Sequence, residues 1–230
     1  MTITEHIAAV RREMAEAARE SGRSERDIFL VGASKMNDAA ACQEAIAAGV
    51  DALGENRVQE MVQKLEQHAY DGAPLHFIGH LQRNKVKQVV GHVALIQSVG
   101  SLELLDEIEK VAAARGLVQD ILLEVNIGRE AAKSGFAPEK VLPAAEAALE
   151  RTHVRVRGLM TIPPADAQRD ANFRYFQEVQ ALYVDMNQKL FHNELEYLSM
   201  GMSGDYEDAI RAGATMVRVG SAIFGARHYN

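Results

Sequence analysis

Short apolar segments alternate with helical segments eight times along this sequence, and this alternation most constrains the fold. The predicted strands are 28–33, 50–53, 75–78, 93–97, 121–125, 154–160, 195–199 and 215–219. A helical segment follows each of the first seven, the longest from about Asp166 to Leu190. Such alternation predicts parallel strands joined by helical crossovers. Eight units in 230 residues predict a (β/α)8 barrel, because an open doubly wound sheet rarely uses eight consecutive units.

An additional helix is predicted before the first strand. Between residues 4 and 21 the apolar residues Ile7, Val10 and Met14 recur at helical spacing. No long Pro-, Gly- or Ser-rich linker interrupts the chain, so residues 1–230 are expected to form a single domain.

Composition narrows the classes of function. The net charge is −7 and no basic block is present, so a nucleic-acid backbone is not an expected partner. Cys42 is the one cysteine, which excludes an internal disulfide, and no pair of histidines has metal-ligand spacing. Charges interrupt the apolar positions of the amino terminus, so neither a signal peptide nor a membrane span is predicted. The expected location is the cytoplasm.

Lys35 follows the first predicted strand, where the strand ends and a loop begins. A lysine at the carboxyl end of a buried strand is partly desolvated, which favours the neutral amine needed for a Schiff base. The alternative is a lysine whose stem leaves the strand end to carry its ammonium to water. This stretch alone favours the second interpretation.

Two loops at the carboxyl ends of the last two predicted strands have the composition of a phosphate site. The segment 199–205 is rich in Ser and Gly and includes Ser203, and Gly220-Ser221 follows the eighth strand. Barrels commonly bind phosphate at these two loops, where backbone N–H groups and hydroxyls can donate to an anion. A glycine alone would be explained by a tight turn, but two such loops on adjacent strands favour phosphate.

Arg218 is predicted to point into the barrel. Strand residues alternate between faces, so Arg218 lies opposite Val217 and Val219, which suit packing against the outer helices. A buried guanidinium needs partners. Glu124 on the fifth strand is one candidate, and a ligand over the barrel mouth is another. Asn56 and His80 follow the second and third strands and are further candidates.

Six motifs, in order along nearly the whole chain, resemble those of the pyridoxal phosphate homeostasis proteins, single-domain relatives of the alanine racemase barrel domain. The motifs are 33–35 (ASK), 54–60 (GENRVQE), 76–85 (HFIGHLQRNK), 158–161 (GLMT), 199–205 (SMGMSGD) and 217–225 (VRVGSAIFG). The resemblance implies pyridoxal 5′-phosphate (PLP) as the cofactor, with Lys35 as its Schiff-base lysine. It implies that Ser203, Ser221 and the backbone at Gly220 hold the phosphate. Arg218 would face the pyridine nitrogen and Asn56 would lie near the ring.

Two positions depart from the pattern of that family. Met36-Asn37-Asp38 replaces a commoner threonine- and proline-containing run, and Arg57 stands where an aromatic residue is frequent. Both departures affect loop contacts and ligand exchange rather than the identity of the cofactor.

Three functions are compatible with these residues. The resemblance implies a PLP-binding protein, expected to be a monomer, that takes part in vitamin B6 and amino-acid homeostasis and passes PLP to PLP-dependent apoenzymes. An arginine at the pyridine nitrogen weakens the electron sink that a PLP catalyst needs. The chain also ends ten residues after Gly220, so no second domain is expected to supply a tyrosine base. The alternatives are a slow PLP-dependent amino-acid racemase using His80 or water as base, and an aldolase-like barrel using Lys35 and Glu55 on a phosphorylated sugar.

Overall fold

Eight parallel strands close into a barrel in sequence order, which confirms the predicted (β/α)8 architecture. The computed structural model describes residues 2–164 and 169–225. The strands are β1 (Phe29–Ala33), β2 (Ala52–Glu55), β3 (Leu75–Phe77), β4 (Leu95–Val99), β5 (Gln119–Val125), β6 (Val154–Thr161), β7 (Tyr197–Ser199) and β8 (Met216–Val219). Strand β8 pairs with β1, with Val31 beside Arg218, and this pairing closes the barrel.

The helices surround the barrel, and the additional amino-terminal helix is confirmed. They are α1 (Ile3–Glu20), α2 (Ala39–Ala47), α3 (Val58–Glu66), α4 (Val86–Val89), α5 (Leu102–Arg115), α6 (Val141–Leu149), α7 (Arg169–Leu190), α8 (Tyr206–Arg211) and α9 (Ser221–Phe224). The predicted start of the longest helix, Asp166, lies outside the described residues. Helix α1 packs against α8, α9 and α2. No helix in the described ranges is long and apolar enough to cross a membrane.

Several strand boundaries differ from the prediction by two residues, namely the starts of β2, β4, β5 and β7 and the ends of β2 and β4. Strand β2 begins at Ala52 rather than Val50, and β4 begins at Leu95 rather than Val93. Val50 and Val93 are buried in the outer core but precede the strand pairing. An apolar run reports burial, whereas a strand is defined by backbone hydrogen bonds, so the two can be offset. The helix after β3, predicted over about 82–90, is also shorter, because a 3-10 turn at Arg83–Lys85 precedes α4.

The barrel interior is small and the larger core lies outside it. The interior apolar residues, which alternate with outward-facing ones, are Val31, Ala52, Leu95, Leu122, Met160 and Met216. Val217 and Val219 belong to the outer core between the barrel and its helices. The alternation predicted for β8 is therefore confirmed, and Arg218 faces inward with Met216.

Candidate functional site

Lys35 lies in the turn directly after β1, beside the loop that follows β8. Its side chain is half-buried. Val31 pairs with Arg218, and a Cβ atom placed on Gly220 would be 3.4 Å from the Cβ atom of Ala33. The carboxyl ends of β1 and β8 are therefore in contact. This contact places the Lys35 turn next to Gly220-Ser221 at the mouth of the barrel.

Ser203 joins the loops after β7 and β8. Its Oγ accepts hydrogen bonds from the backbone N–H groups of Gly220, at 3.1 Å, and Ala222, at 3.2 Å. Ser221, the first residue of α9, is exposed. The hydroxyls of Ser203 and Ser221 thus lie at the loops after β7 and β8, and each has an O–H group that can donate to a phosphate. The structure assembles the three residues that the sequence analysis assigned to the phosphate.

Arg218 is buried at the upper end of the barrel interior, with 3% of its surface exposed. Its guanidinium donates to Ser199 Oγ at 2.6 Å and to the carbonyl oxygen of Thr161 at 2.8 Å. Burial lowers the pKa of Arg218 to about 10, although the charges of Asp205 and Glu124 act to raise it. Arg218 therefore remains a cation at neutral pH, with three further N–H groups that these two bonds do not use.

Glu124 does not form the ion pair with Arg218 that the sequence analysis offered as one possibility. No bond between the two side chains is present within the described ranges, and Glu124 Oε2 is buried without a hydrogen-bond partner there. Burial raises the pKa of Glu124, while a hydrogen bond from Ser134 and the charges of His80 and Arg218 act in the opposite direction. Arg218 donates to residues of β6 and β7 instead, and its charge acts on Glu124 from a distance.

Asn56 lies at the barrel mouth, one residue beyond β2. Ala52 faces the barrel interior, so alternation directs Gly54 and Asn56 to the same side. Among the described residues, Asn56 Oδ1 is buried and has no hydrogen-bond partner. A buried acceptor without a partner at a barrel mouth is a site at which a ligand donor would be favourable. The predicted placement of Asn56 near the site is consistent with this geometry.

Glu55 cannot serve as the acid or base that an aldolase-like barrel would need. It faces outward and is fully buried; Lys64 Nζ donates to it at 2.6 Å and Ser34 Oγ at 2.7 Å. Burial raises the pKa of Glu55, although the bonds from Lys64 and Ser34 act to lower it. Its carboxylate is thus committed to an ion pair behind β1. Strand alternation at the end of a short strand was not enough to show this from sequence.

His80 is exposed and lines a cavity of about 570 Å³ at the ends of β3, β4 and β5. Arg83, Ser98, Lys133 and Ser134 line the same cavity. Gly79 connects this region to the site, because its backbone packs so closely on Asn56 that an added Cβ would lie 2.2 Å from the carbonyl oxygen of Asn56.

A buried polar chain beneath Arg218 was not identified from sequence. Ser199 Oγ donates to Gln97 Oε1 at 2.6 Å, and the side-chain amide of Gln97 contacts His76 Nδ1 at 3.0 Å. His76 stacks on Phe29, with ring centroids 5.6 Å apart. The amide N–H donates, so His76 Nδ1 accepts. Polar residues at inward positions of β3, β4 and β7 were the available sequence signal.

The comparisons with known proteins first define a class. Residues 6–228 match the family model described as alanine racemase, N-terminal domain. An alanine racemase from Clostridium difficile has the same fold, with a TM-score of 0.72 and 18% identity, over 96% of this chain and 57% of that one. The family match and the shared fold thus define a barrel of the alanine racemase N-terminal class.

Full-length relatives identify the family more closely. Pyridoxal phosphate homeostasis proteins of Aquifex aeolicus and Pseudomonas aeruginosa are 41% and 40% identical to this chain, covering 100% and 99% of it and 100% and 97% of their own length. PipY of Synechococcus elongatus, solved with PLP bound, has a TM-score of 0.84 and 30% identity, over 97% of this chain and all of that one. The chain belongs to the pyridoxal phosphate homeostasis protein family.

Proposed function

We propose that this protein binds PLP through a Schiff base on Lys35 and holds the phosphate group at Ser203, Gly220 and Ser221. The supporting observation is the contact between the ends of β1 and β8, which brings the turn that carries Lys35 next to the Gly220-Ser221 loop. The relatives named above for PLP homeostasis, and the PLP bound to PipY, give the cofactor its identity. The C=N bond forms between Lys35 Nζ and the aldehyde carbon of PLP, with release of one water molecule.

Each remaining site residue has a distinct task in this proposal. The Arg218 guanidinium donates toward the pyridine nitrogen, and its bonds to Ser199 and Thr161 hold it in place. Asn56 lies beside the ring, where its buried Oδ1 accepts a hydrogen bond from the cofactor. PLP supplies an electron sink for amino-acid chemistry, which is strongest when the pyridine nitrogen is protonated. A neighbouring cation opposes that protonation.

This electrostatic argument favours a carrier over an efficient catalyst. In this proposal the protein acts in the cytoplasm as a monomeric, single-domain PLP-binding protein, takes part in vitamin B6 and amino-acid homeostasis, and delivers PLP to PLP-dependent apoenzymes. A slow amino-acid racemase is the second candidate, because the cavity beside His80 offers space for an amino acid near the barrel mouth.

Borohydride reduction tests the Schiff base directly. The wild type, loaded with PLP and reduced, should carry the cofactor on Lys35 when its peptides are mapped by mass spectrometry. Lys35→Ala should bind PLP reversibly through the phosphate and carry no label at this site. Lys87→Ala, at an exposed position on α4, is the control and should be labelled like the wild type. Fixation at another lysine in the wild type would overturn the assignment.

Chirality measurements separate the carrier from the enzyme. The PLP-loaded protein should leave L-alanine and D-alanine essentially unchanged over many equivalents. Turnover in the range of ordinary enzymes, roughly 1–1000 per second, would replace the carrier with the racemase. A slow, His80-dependent racemisation would show that the second candidate is a side activity of the same site.

A further inference from the structure

The turn that carries Lys35 is fixed from behind by a buried ion-pair cluster on α3. Lys64 is 5% exposed, and its Nζ donates to the carbonyl oxygen of Ser34 at 2.8 Å, to Glu55 Oε1 at 2.6 Å and to Glu60 Oε1 at 2.8 Å. An ammonium has three N–H groups, and these three bonds use all of them.

Glu60 contacts the other side of the same turn. Its Oε1 accepts a hydrogen bond from the backbone N–H of Met36 as well as from Lys64. Lys64 therefore holds the residue before Lys35, and Glu60 holds the residue after it. Asn37 adds a third contact, because its side-chain amide donates to the carbonyl oxygen of Lys35 at 3.0 Å.

The backbone at Met36 needs such support. Its φ is +64°, a left-handed conformation that is unfavourable for residues other than glycine, asparagine and aspartate. The Met36 side chain is 54% exposed, so side-chain packing does little to hold the residue. The charge-assisted bond to Glu60 is the contact that offsets the backbone strain.

Electrostatics keep Lys64 ionised. Burial acts to lower the pKa of Lys64, but the hydrogen bond and charge of Glu55, together with Glu60, outweigh it and raise that pKa above its ordinary value. Lys64 is therefore an ammonium throughout the neutral range. Since it is enclosed by the carboxylates and Ser34, it stabilises the turn rather than competing with Lys35 for a carbonyl.

We propose that Glu60 and Lys64 are positioning residues for Lys35. They bind the backbone on both sides of Lys35 and thereby place its amine where it contacts the cofactor at the barrel mouth. This inference rests on the proposed PLP function. Glu60 and Lys64 touch neither PLP nor the reacting atoms; they set the position and mobility of the turn, and thereby the fraction of bound PLP that is covalently linked.

Binding measurements with two compounds test this role. Pyridoxine 5′-phosphate carries an alcohol in place of the aldehyde, so it uses the phosphate loops without bonding to Lys35. Glu60→Ala should weaken PLP binding by about tenfold, the effect of losing one charge-assisted hydrogen bond, and leave pyridoxine 5′-phosphate binding unchanged. Glu60→Gln retains an oxygen acceptor and should lose less. Glu66→Ala, an exposed glutamate on the same helix, should match the wild type.

Amide exchange in the cofactor-free protein gives an independent readout. The Met36 N–H should exchange about tenfold faster in Glu60→Ala, with global stability monitored by urea unfolding. Equal losses for both compounds, or no loss for either, would overturn the positioning role. If the wild type bound both compounds equally and carried no label on Lys35, the proposed function would fail instead. Met36 exchange would then decide whether Glu60 holds the turn. Should Glu60→Ala fail to fold, Glu60→Gln compared with Glu66→Gln gives the same test.

Discussion

Arg218 on β8 donates a hydrogen bond of 2.6 Å to Ser199 Oγ on the neighbouring strand β7. Both residues are buried, and the Ser199 hydroxyl donates a hydrogen bond to Gln97 Oε1 inside the barrel. The serine hydroxyl thus accepts from a cation and donates to an amide. This arrangement gives hydrogen-bond partners to a charge that would otherwise be costly to bury, and it fixes the guanidinium within the barrel interior.

Ser199→Ala should therefore destabilise the fold and alter the site together. Loss of the acceptor leaves an N–H group of Arg218 and the carbonyl oxygen of Gln97 without this partner, at a cost of about 1–3 kcal/mol. Urea unfolding of the cofactor-free protein measures the change in the free energy of unfolding. Gln59→Ala, at an exposed position on α3, is the control. Unchanged stability in Ser199→Ala would show that water replaces the hydroxyl.

Ser203→Ala should weaken binding of the phosphate group more than it affects the fold. Its hydroxyl oxygen accepts hydrogen bonds from the N–H groups of Gly220 and Ala222, and both residues lie near the surface. We expect affinity for PLP and for pyridoxine 5′-phosphate to fall by a similar factor, on the order of tenfold, since both carry the phosphate. Titration followed by fluorescence or calorimetry measures both. A loss confined to PLP would instead place Ser203 near the aldehyde.

Gly79→Ala should disturb Asn56 without a change in any polar group. The added Cβ would lie 2.2 Å from the carbonyl oxygen of Asn56, and backbone on both sides must move to relieve the clash. Overpacking of this kind costs about 1–3 kcal/mol or more. Gly204→Ala is a matched control, because an added Cβ there meets no atom within 4 Å. Thermal unfolding of both variants should show a large difference, and equal stabilities would contradict this packing.

The barrel could be predicted from sequence because each strand-helix unit leaves a local pattern, and parallel strands bring their carboxyl ends to one face. Lys35 and Gly220 could be proposed as site residues for the same reason, since each lies within two residues of a strand end, and Ser203 because its loop follows β7. The chain from Arg218 through Ser199 and Gln97 could not be predicted. Gln97 and Ser199 are 102 residues apart, and only the closed barrel brings β4 and β7 together across its interior.

The sequence was misleading at Glu55 for a physical reason as well. It lies at the end of β2, as a site residue would, but it faces outward, where Lys64 binds its carboxylate. The predicted strand ended at Leu53, which left Glu55 in a loop, whereas Glu55 is the last residue of β2 and strand alternation from Ala52 directs it outward. The support of the Lys35 turn by Lys64 and Glu60 joins a loop to the middle of a helix, and helical spacing alone carries no sign of that contact.

His76 should make the stability of the protein depend on pH in the acidic range. It is buried at the interior of the barrel, and desolvation lowers its pKa from 6.5 to about 4. Between these values the unfolded chain binds a proton that the folded protein does not bind. The contribution of His76 to the free energy of unfolding is therefore fully present above about pH 6.5. It decreases as the pH falls toward 4, by up to about 3 kcal/mol.

His76→Asn isolates this contribution. The asparagine oxygen can accept the hydrogen bond from Gln97 as His76 Nδ1 does, but it does not titrate. Carboxylates titrate in the same range, so the wild type must be compared with the variant at each pH. The measurement is the difference between their free energies of unfolding in urea at roughly pH 4.5, 5.5 and 7, which span this window. That difference should shrink as the pH falls, whatever stability the variant loses at pH 7. His92→Asn, at an exposed position, controls for the general effect of replacing a histidine. Curves for wild type and His76→Asn that stay parallel would show that His76 is not the group responsible.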